Sequence, residues 1–485
     1  MAPTGDDNNV LKYDQVITDI VDYVYDFEPT NPAAWERAKA TFIDAFGCIA
    51  ENLATSAEVR RLIGPTAGSP DKLPGGVKLP GTPYQLDLLS GAFNIATSIR
   101  YLDHNDYFVG AEWGHPSDNL GAILATASVF SRLENRPITL RTILVALTKA
   151  YEIQGVFQLR NSFNKVGLDH VILVKLGSTA VSAWLMGLSK DQAAAAVSHA
   201  FVDGHSLRTY RHAPNTGPRK GWAAGEAAQR AVQLALLARA GQPGIKSALT
   251  APRWGFYDVL FEGKQFQFPR AFGSWVVENV LFKIYTAEGH AITAVEAAVA
   301  AAQQLAARGL NPAADIGSVR VRTQDAGMVI INKQGPLHNA ADRDHDMKYM
   351  VAVCLLKGSA VETPDYQDDS PWATDPRVER LREKMTLVED ERFTRDYHDL
   401  DIKSVANAVQ VTTTTGEVLD DFVVELPLGH PRRPETIPAA YAKARKNLLL
   451  KYEPAKVDRI LDLVDRTDDF YKTTVNEWLD LFAES

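Results

Sequence analysis

A change of period near residue 270 constrains this chain more than any other feature. From about residue 15 to about 270 apolar side chains recur at helical spacing. Strand-like alternation then appears among helices, and helical spacing returns at about 434. The segment AAWERAKATFIDAFGCIAENLA (33–54) follows Asn31 and Pro32, an N-cap and a proline suited to the first helical position, so a helix starts there. Ser189 and Gln192 form a capping box ahead of AAAAVSHAF, and Gly187 is placed to end the helix before it. The alanine-rich, sparsely charged WAAGEAAQRAVQLALLARAG predicts a helix buried over most of its surface. Further on, a helix at about 290–308 ends at Gly309 and SVRVRT (318–323) alternates. So do NAVQVTTTT (407–415) and EVLDDFVVEL (417–426), around a turn at Gly416. The tail carries AYAKARKNLLLKY and VDRILDLVDR at helical spacing. The expected fold is mainly α: a large all-helical domain made from residues 1–272 and 431–485, with a smaller α+β lid domain inserted at 273–430. No internal repeat of 20–50 residues and no low-complexity tract interrupts it.

Composition narrows the function. A 485-residue chain that is 46% hydrophobic can bury a large core. The first ten residues, MAPTGDDNNV, lack the features of a signal or transit peptide, and stretches such as AAAAVSHAFV break before they could span a bilayer. A cytoplasmic protein with no membrane partner is expected, with the mitochondrial matrix as the alternative. The net charge of -9 argues against nucleic acid, so any anion site must be a local basic concentration. Cys48 and Cys354 read as buried free thiols and fall short of the thiolates an iron-sulfur cluster needs. HExxH, CxxC and EF-hand loops are missing, as are GxGxxG, GxxxxGK[ST] and GxSxG, so no metal and no cofactor are expected. Acid–base chemistry on a small anion is the reaction type that matches the residues best.

Four segments could carry that chemistry. RYLDHNDYFVGAEWGHPSDN (100–119) packs Asp103, His104, Asp106, Tyr107, Glu112 and His115 between two helical patterns, with Ser117 or Asp118 expected as the next N-cap. Such a loop can be an ordinary polar turn, but His115 directly before a helix start sits where unpaired N–H groups favour a carboxylate. HSLRTYRHAPNTGPRKGWAAGE (205–226) sets Arg208, Arg211, Arg219 and Lys220 against the acid Glu226. It is either a solvated basic loop or a polycarboxylate pocket. His170 opens an apolar helix, where core or cap is the ordinary role. Lys283 and His290 stand where the inserted domain begins, and such a hinge commonly holds a ligand cleft.

At AEWGHPSDNLG, NSFNKVGLDH, SLRTYRHAPNTGPRKGWAAGEA, LTAPRWGFYDV, NVLFKI, and ADRDH followed by YMVA, the sequence resembles the MmgE/PrpD family, in particular its 2-methylcitrate dehydratases. The blocks run from about 90 to 350 and are specific in combination. The resemblance implies a helical large domain with an α+β lid, a homodimer, and catalysis on a small tricarboxylate without an obligatory metal or cluster. The superfamily also contains cis-aconitate decarboxylase, and its active-site positions match here at Asp103, His115, His170, Lys220, Lys283 and, less closely, His290. Where the methylcitrate dehydratases usually read KISFPAEFH, this chain reads KIYTAEGH, one residue shorter. That departure makes a longer-chain alkylcitrate dehydratase, of the kind found in fungal anhydride biosynthesis, the second reading.

Removing water from an alkylcitrate takes a proton α to a carboxylate and expels a tertiary hydroxyl. Cations and a paired acid and base are required. On this reading Arg208, Arg211 and Lys220 bind carboxylates, with Arg219, Tyr107 and His290 as further binding residues, and Lys283 faces the developing charge. His115 is the base, His170 the proton donor and Asp103 the group that orients an imidazole. The two histidine roles are exchangeable. A decarboxylase acting on cis-aconitate and a non-catalytic scaffold are the competing hypotheses.

Overall fold

In the computed structural model, which describes residues 12–212, 214–399 and 402–484, the chain opens with α1 (Gln15–Asp26) and α2 (Pro32–Thr55). Asn31 caps α2 as expected: its side-chain oxygen accepts from the Ala33 N–H at 3.1 Å. Pro32 stands where an N–H would have no helical partner. The main helices that follow are α3 (Leu88–Arg100), α4 (Leu120–Leu133), α5 (Leu140–Arg160), α6 (Val171–Leu185), α7 (Lys190–Val202) and α8 (Arg219–Arg239). Both halves of the Ser189/Gln192 capping box form at the start of α7, and Gly187 adopts φ 70° between α6 and α7.

The alanine-rich α8 lies hard against α3. A Cβ on Gly225 would stand 2.2 Å from Thr97 Oγ1 and 2.7 Å from the Phe93 carbonyl, and one on Gly221 would meet the Tyr101 carbonyl at 2.8 Å. Only glycine permits this approach. It sets Lys220, at the start of α8, beside the end of α3 and the loop that follows.

One hydrophobic core takes in α1 to α8 together with Ala444, Leu448, Val457, Ile460, Trp478 and Phe482 from the other end of the chain. Trp478 packs on Phe42 and Phe46, with ring centroids 5.3 Å apart in each case. A second core gathers Leu281, α9 (Ile292–Ala307), β1 (Ile316–Thr323), α10 (Met347–Lys357), β2 (Met385–Glu389), β3 (Asn407–Thr413) and β4 (Val418–Val424). The fold is therefore mainly α with a small α+β part. Its sheet has the order β2-β1-β3-β4. β1 runs parallel to β2, with Val319 opposite Met385, and antiparallel to β3, with Val319 opposite Val411. β3 and β4 pair around Gly416 at φ 87°. Val319 and Val321 point inward while Ser318 and Arg320 face out, which is the alternation the sequence displayed. β2 is the strand the sequence reading lacked: MTLVE is five residues long and follows the charged helix Pro376–Glu383.

The tail returns to α11 (Thr436–Leu448), packed on α2 where a Cβ on Gly47 would stand 3.0 Å from Ala444 Cα. Cys48 and Cys354 are free and buried. Among the described residues no helix is long and apolar enough to cross a membrane.

Candidate active site

The loop between α3 and α4 is pinned from several sides. Phe108–Val109 pairs with Trp113–Gly114 in a short antiparallel ribbon, and Tyr107 exchanges backbone hydrogen bonds of 2.9 Å with Leu281, tying the loop to the start of the α+β part. Asp106 is the anchor. Its carboxylate accepts from the Ser117 N–H (3.1 Å) and from the Tyr151 hydroxyl (2.6 Å), and its carbonyl accepts from His115 Nδ1 (2.8 Å). Ser117 and Asp118 are not the N-caps they were expected to be. They lie inside a 3-10 turn, Pro116–Asn119, which runs into α4 without a side-chain cap. Buried in this loop, their polar groups serve it instead, Asp118 Oδ1 accepting from Asn105 at 2.9 Å.

Asp103 sits at φ 58°, a left-handed conformation that aspartate tolerates better than most side chains. From there its carboxylate pairs with Arg100 and with Lys283 Nζ (2.9 Å), and lies 3.5 Å from His115 Nε2. Lys283 also donates to the Asp103 carbonyl at 2.7 Å. Burial pushes the carboxyl up, but Arg100 and Lys283 outweigh it and hold Asp103 well below the usual carboxylate range.

His115 and His170 face each other with ring centroids 5.8 Å apart. Burial lowers both imidazoles well below the usual histidine value. Arg100 and Lys283 add to this at His115, and Arg211 and Arg208 at His170, against Asp103 and Asp169 respectively. Both rings are therefore neutral near pH 7. Because a carbonyl can only accept, the Nδ1 of His115 carries the proton and Nε2 presents a lone pair. Among the described residues His170 has no hydrogen-bond partner on either ring nitrogen, and Nε and Nη1 of Arg208 have none either. These buried polar atoms are open to the polar groups of a ligand.

Two backbone links place the basic loop here: Asp169 N–H donates to the Ser206 carbonyl (2.9 Å) and Arg208 N–H to the Gly167 carbonyl (3.0 Å). Arg211 grips Asp169 with two nitrogens, and Arg208 stacks 5.0 Å over the Trp113 ring. Lys220 Nζ donates to Asp344 Oδ1 at 2.6 Å. Burial lowers the ammonium pKa, which Asp344 partly restores.

The residues expected from sequence thus divide. Asp103, His115, His170, Lys220, Lys283 and Arg208 come together as one buried cluster. Arg211 reaches its edge with its fork committed to Asp169. Tyr107 and His290 lie at the margin with their polar atoms engaged. The Tyr107 hydroxyl donates to the Gly289 carbonyl (3.3 Å), and His290 meets Glu288 (3.0 Å) through Nδ1 and the Tyr397 hydroxyl (3.0 Å) through Nε2. Arg219 is not brought in: it pairs with Glu226 on the outer face of α8 and borders a separate cavity of about 550 Å³ with Lys175 and Asp203. Sequence reasoning missed Arg100, a lone arginine at a helix end. It also gave no role to Asp344 and His345, although ADRDH was among the blocks that carried the resemblance.

The MmgE/PrpD N-terminal domain model matches residues 18–269 and the MmgE/PrpD C-terminal domain model residues 285–469. The chain belongs to the MmgE/PrpD family. It is 60% identical over 486 residues to the 2-methylcitrate dehydratase-like protein oryR of Aspergillus oryzae, covering 99% of this chain and 98% of that relative. It is 49% identical to the 2-methylcitrate dehydratase of Escherichia coli K12, covering 98% and 99%, and 44% identical to the alkylcitrate dehydratase phiI of a fungal species, covering 97% and 94%.

The neutral histidines of this MmgE/PrpD site make a prediction about stability. In the unfolded chain a histidine takes up a proton below about pH 6.5, whereas folded His170 stays neutral, so its contribution is lost as pH falls from there toward its lower folded value. Asp118 and Glu152, each pushed up to about 7 chiefly by burial, act in the opposite direction, so the difference between two proteins is the readable quantity. In urea unfolding followed from pH 7 to 5.5, His170→Asn should lose less stability than the wild type, by about 1.3 kcal/mol over the whole interval, because the limiting slope of about 1.4 kcal/mol per pH unit is reached only well below the unfolded value of about 6.5. Equal slopes would mean that His170 protonates freely in the folded state.

Proposed function

We propose that this protein is a hydro-lyase that removes water from 2-methylcitrate or a longer alkylcitrate by acid–base elimination, without a metal. The observation that carries the reading is the convergence, inside one closed cluster, of a histidine with a fixed free lone pair and four cations from three segments of the chain: Arg100, Arg208 with Lys220, and Lys283. In this reading His115 Nε2 takes the proton α to a carboxylate. Lys220 and Arg208 hold carboxylates, and Lys283 and Arg100 stabilise the enolate-like charge that develops. His170 hydrogen-bonds the substrate through its unpartnered nitrogens. The names of the relatives support the same chemistry, and cations that converge rather than splay argue against a scaffold without activity.

Lys220 is 3% exposed and Lys283 1%, and in this reading the inserted 273–430 unit moves as a lid on the body built from 1–272 and 431–485 to admit the tricarboxylate. The working unit in this reading is a homodimer, for which the exposed Leu207, Trp254 and Val259 are candidate contacts. One observation favours the longer substrates. Ile284, Tyr285 and Thr286, at the departure from the dehydratase pattern, border a cavity of about 590 Å³ whose wall joins the apolar Val361, Ala439 and Ala442 to the charged Glu362, Lys443 and Lys446.

The test is to incubate the purified, chelator-treated protein with citrate, 2-methylcitrate and alkylcitrates of increasing chain length, following the absorbance of the unsaturated product. Product from 2-methylcitrate or a longer homologue is expected. Carbon dioxide from cis-aconitate with no dehydration of any of them would replace this reading by a decarboxylase.

A further inference from the structure

The dehydration needs a proton for the departing hydroxyl, and His115, held as a base, does not supply it. We propose that His345, with Asp344 against its ring, is the acid that protonates the leaving hydroxyl. The inference rests on the dehydratase reading above and takes the donor role from His170, to which the sequence alone assigned it.

His345 enters the site from the α+β part. It stands on the turn after the short helix Ala340–Arg343, in a frame held at both ends. The Asn339 side chain accepts from the Asp342 N–H (2.9 Å), Arg343 donates to the Tyr366 carbonyl (2.6 Å), and Asp346 caps α10 by accepting from the Tyr349 N–H (2.6 Å). His345 Nδ1 lies 2.6 Å from Asp344 Oδ1 and 3.0 Å from Lys220 Nζ. Lys220 donates to the same carboxylate oxygen, so the imidazole, carboxylate and ammonium form one unit whose charged neighbours are Asp103, Glu288 and, facing the ammonium, Arg100. Among the described residues the hydrogen bonds of the His345 ring are made through Nδ1, and none is made through Nε2.

The other imidazoles nearby are arranged differently. His104 has Nδ1 on Glu51 (2.6 Å) and Nε2 near Thr286 (3.4 Å), and both nitrogens of His290 are engaged, so neither has a nitrogen to offer a substrate. His170 is 3.5 Å from Asp169, but that carboxylate is already taken by the Arg211 fork. His115 is anchored by a carbonyl, which fixes a neutral ring. His345 is the one whose Nδ1 is held by a carboxylate at hydrogen-bond distance while Nε2 is left open, and a carboxylate in that position stabilises the imidazolium. In the ligand-free site burial and Lys220 keep it neutral. A bound tricarboxylate adds negative charge beside it and reverses that balance, so His345 takes up its proton with the substrate.

The elimination then balances. His115 Nε2 accepts the α proton and the C–H electron pair becomes the second bond of the alkene. The C–O bond breaks with its pair on oxygen, and the Nε2–H of His345 delivers the proton that makes the leaving group water. His345 ends neutral and His115 protonated, and exchange with solvent restores both.

A leaving group that needs no proton separates this acid from a merely structural residue. Wild type, His345→Asn and His115→Asn are assayed with 2-methylcitrate and with the analogue in which fluoride replaces the departing hydroxyl. Loss of a general acid should slow water loss in His345→Asn by about 100-fold or more while fluoride loss stays within roughly threefold of wild type, whereas His115→Asn should lose both. Equal losses on the two substrates, or full retention of water loss, would overturn the proposal. Should His345→Asn fold poorly, Asp344→Asn keeps the imidazole and removes its carboxylate. It should move the alkaline limb of the kcat profile to lower pH, and an unmoved limb would count equally against the idea. A wild-type protein that eliminates neither leaving group removes the dehydratase reading itself, a failure distinguishable from that of His345.

Discussion

Dehydration by His115→Asn should be slower than wild type by about 10²- to 10⁴-fold, the range expected when a positioned base is lost. The fold should be untouched. Asparagine places an amide nitrogen close to the position of Nδ1, so the hydrogen bond that closes the loop onto the Asp106 carbonyl can be kept while the lone pair of Nε2 disappears. Its effect should therefore fall on the transition state: kcat and kcat/KM drop together with KM nearly constant. A pure binding role would instead raise KM at constant kcat. The measurement is steady-state kinetics on the best alkylcitrate, paired with a melting curve. A variant with near-normal kcat and an unchanged melting temperature would strip His115 of the role.

The helical body and the sheet could be read in advance because their determinants are local. Asn31–Pro32, Ser189 with Gln192, and the glycines at 187, 309 and 416 each set a boundary through backbone chemistry that a few neighbouring residues specify. β2 escaped because it is only five residues long and is held by parallel pairing with β1, more than sixty positions away in sequence. The site divides along the same line. Asp103, His115 and the basic loop stand out as polar clusters between apolar helices, and the resemblance marked His170, Lys220 and Lys283. What no local pattern reveals is commitment. Arg211 and Arg219 look alike in sequence, yet one is forked onto Asp169 and the other faces outward with Glu226. Arg100 and His345 acquire their meaning only when α8 is drawn against α3 through Gly221 and Gly225 and the turn at 344–345 reaches Lys220.

Removing the charge of Asp103 should destabilise the fold strongly. Its carboxylate lies between Arg100, 2% exposed, and Lys283, 1% exposed, and the next carboxylate oxygen near Arg100, Asp118 Oδ2, is 3.9 Å from Nε. Stripping one partner from a buried ion pair leaves an uncompensated charge, a loss of about 3–5 kcal/mol. Asp103→Asn keeps the shape and tolerates φ 58°, so its penalty is the electrostatic one. Asp103→Ala adds the strain of a left-handed backbone, about 1–2 kcal/mol more. In the wild type the folded carboxyl is held below its ordinary value, so its contribution is fully present above the unfolded value of about 3.9 and is lost only as pH falls through that region toward the folded value. Urea unfolding at pH 7 therefore reads the whole effect. Should Asp103→Asn unfold within about 1 kcal/mol of wild type, well short of the loss expected for a broken buried pair, the two cations must be balanced by something other than this carboxylate. The same variant separates charge from geometry in catalysis, because it keeps the loop's shape while leaving Lys283 and Arg100 free to swing toward the substrate's carboxylates. Tighter binding of the tricarboxylate with slower turnover is the outcome expected if Asp103 holds those cations where charge develops in the transition state rather than where it rests in the ground state.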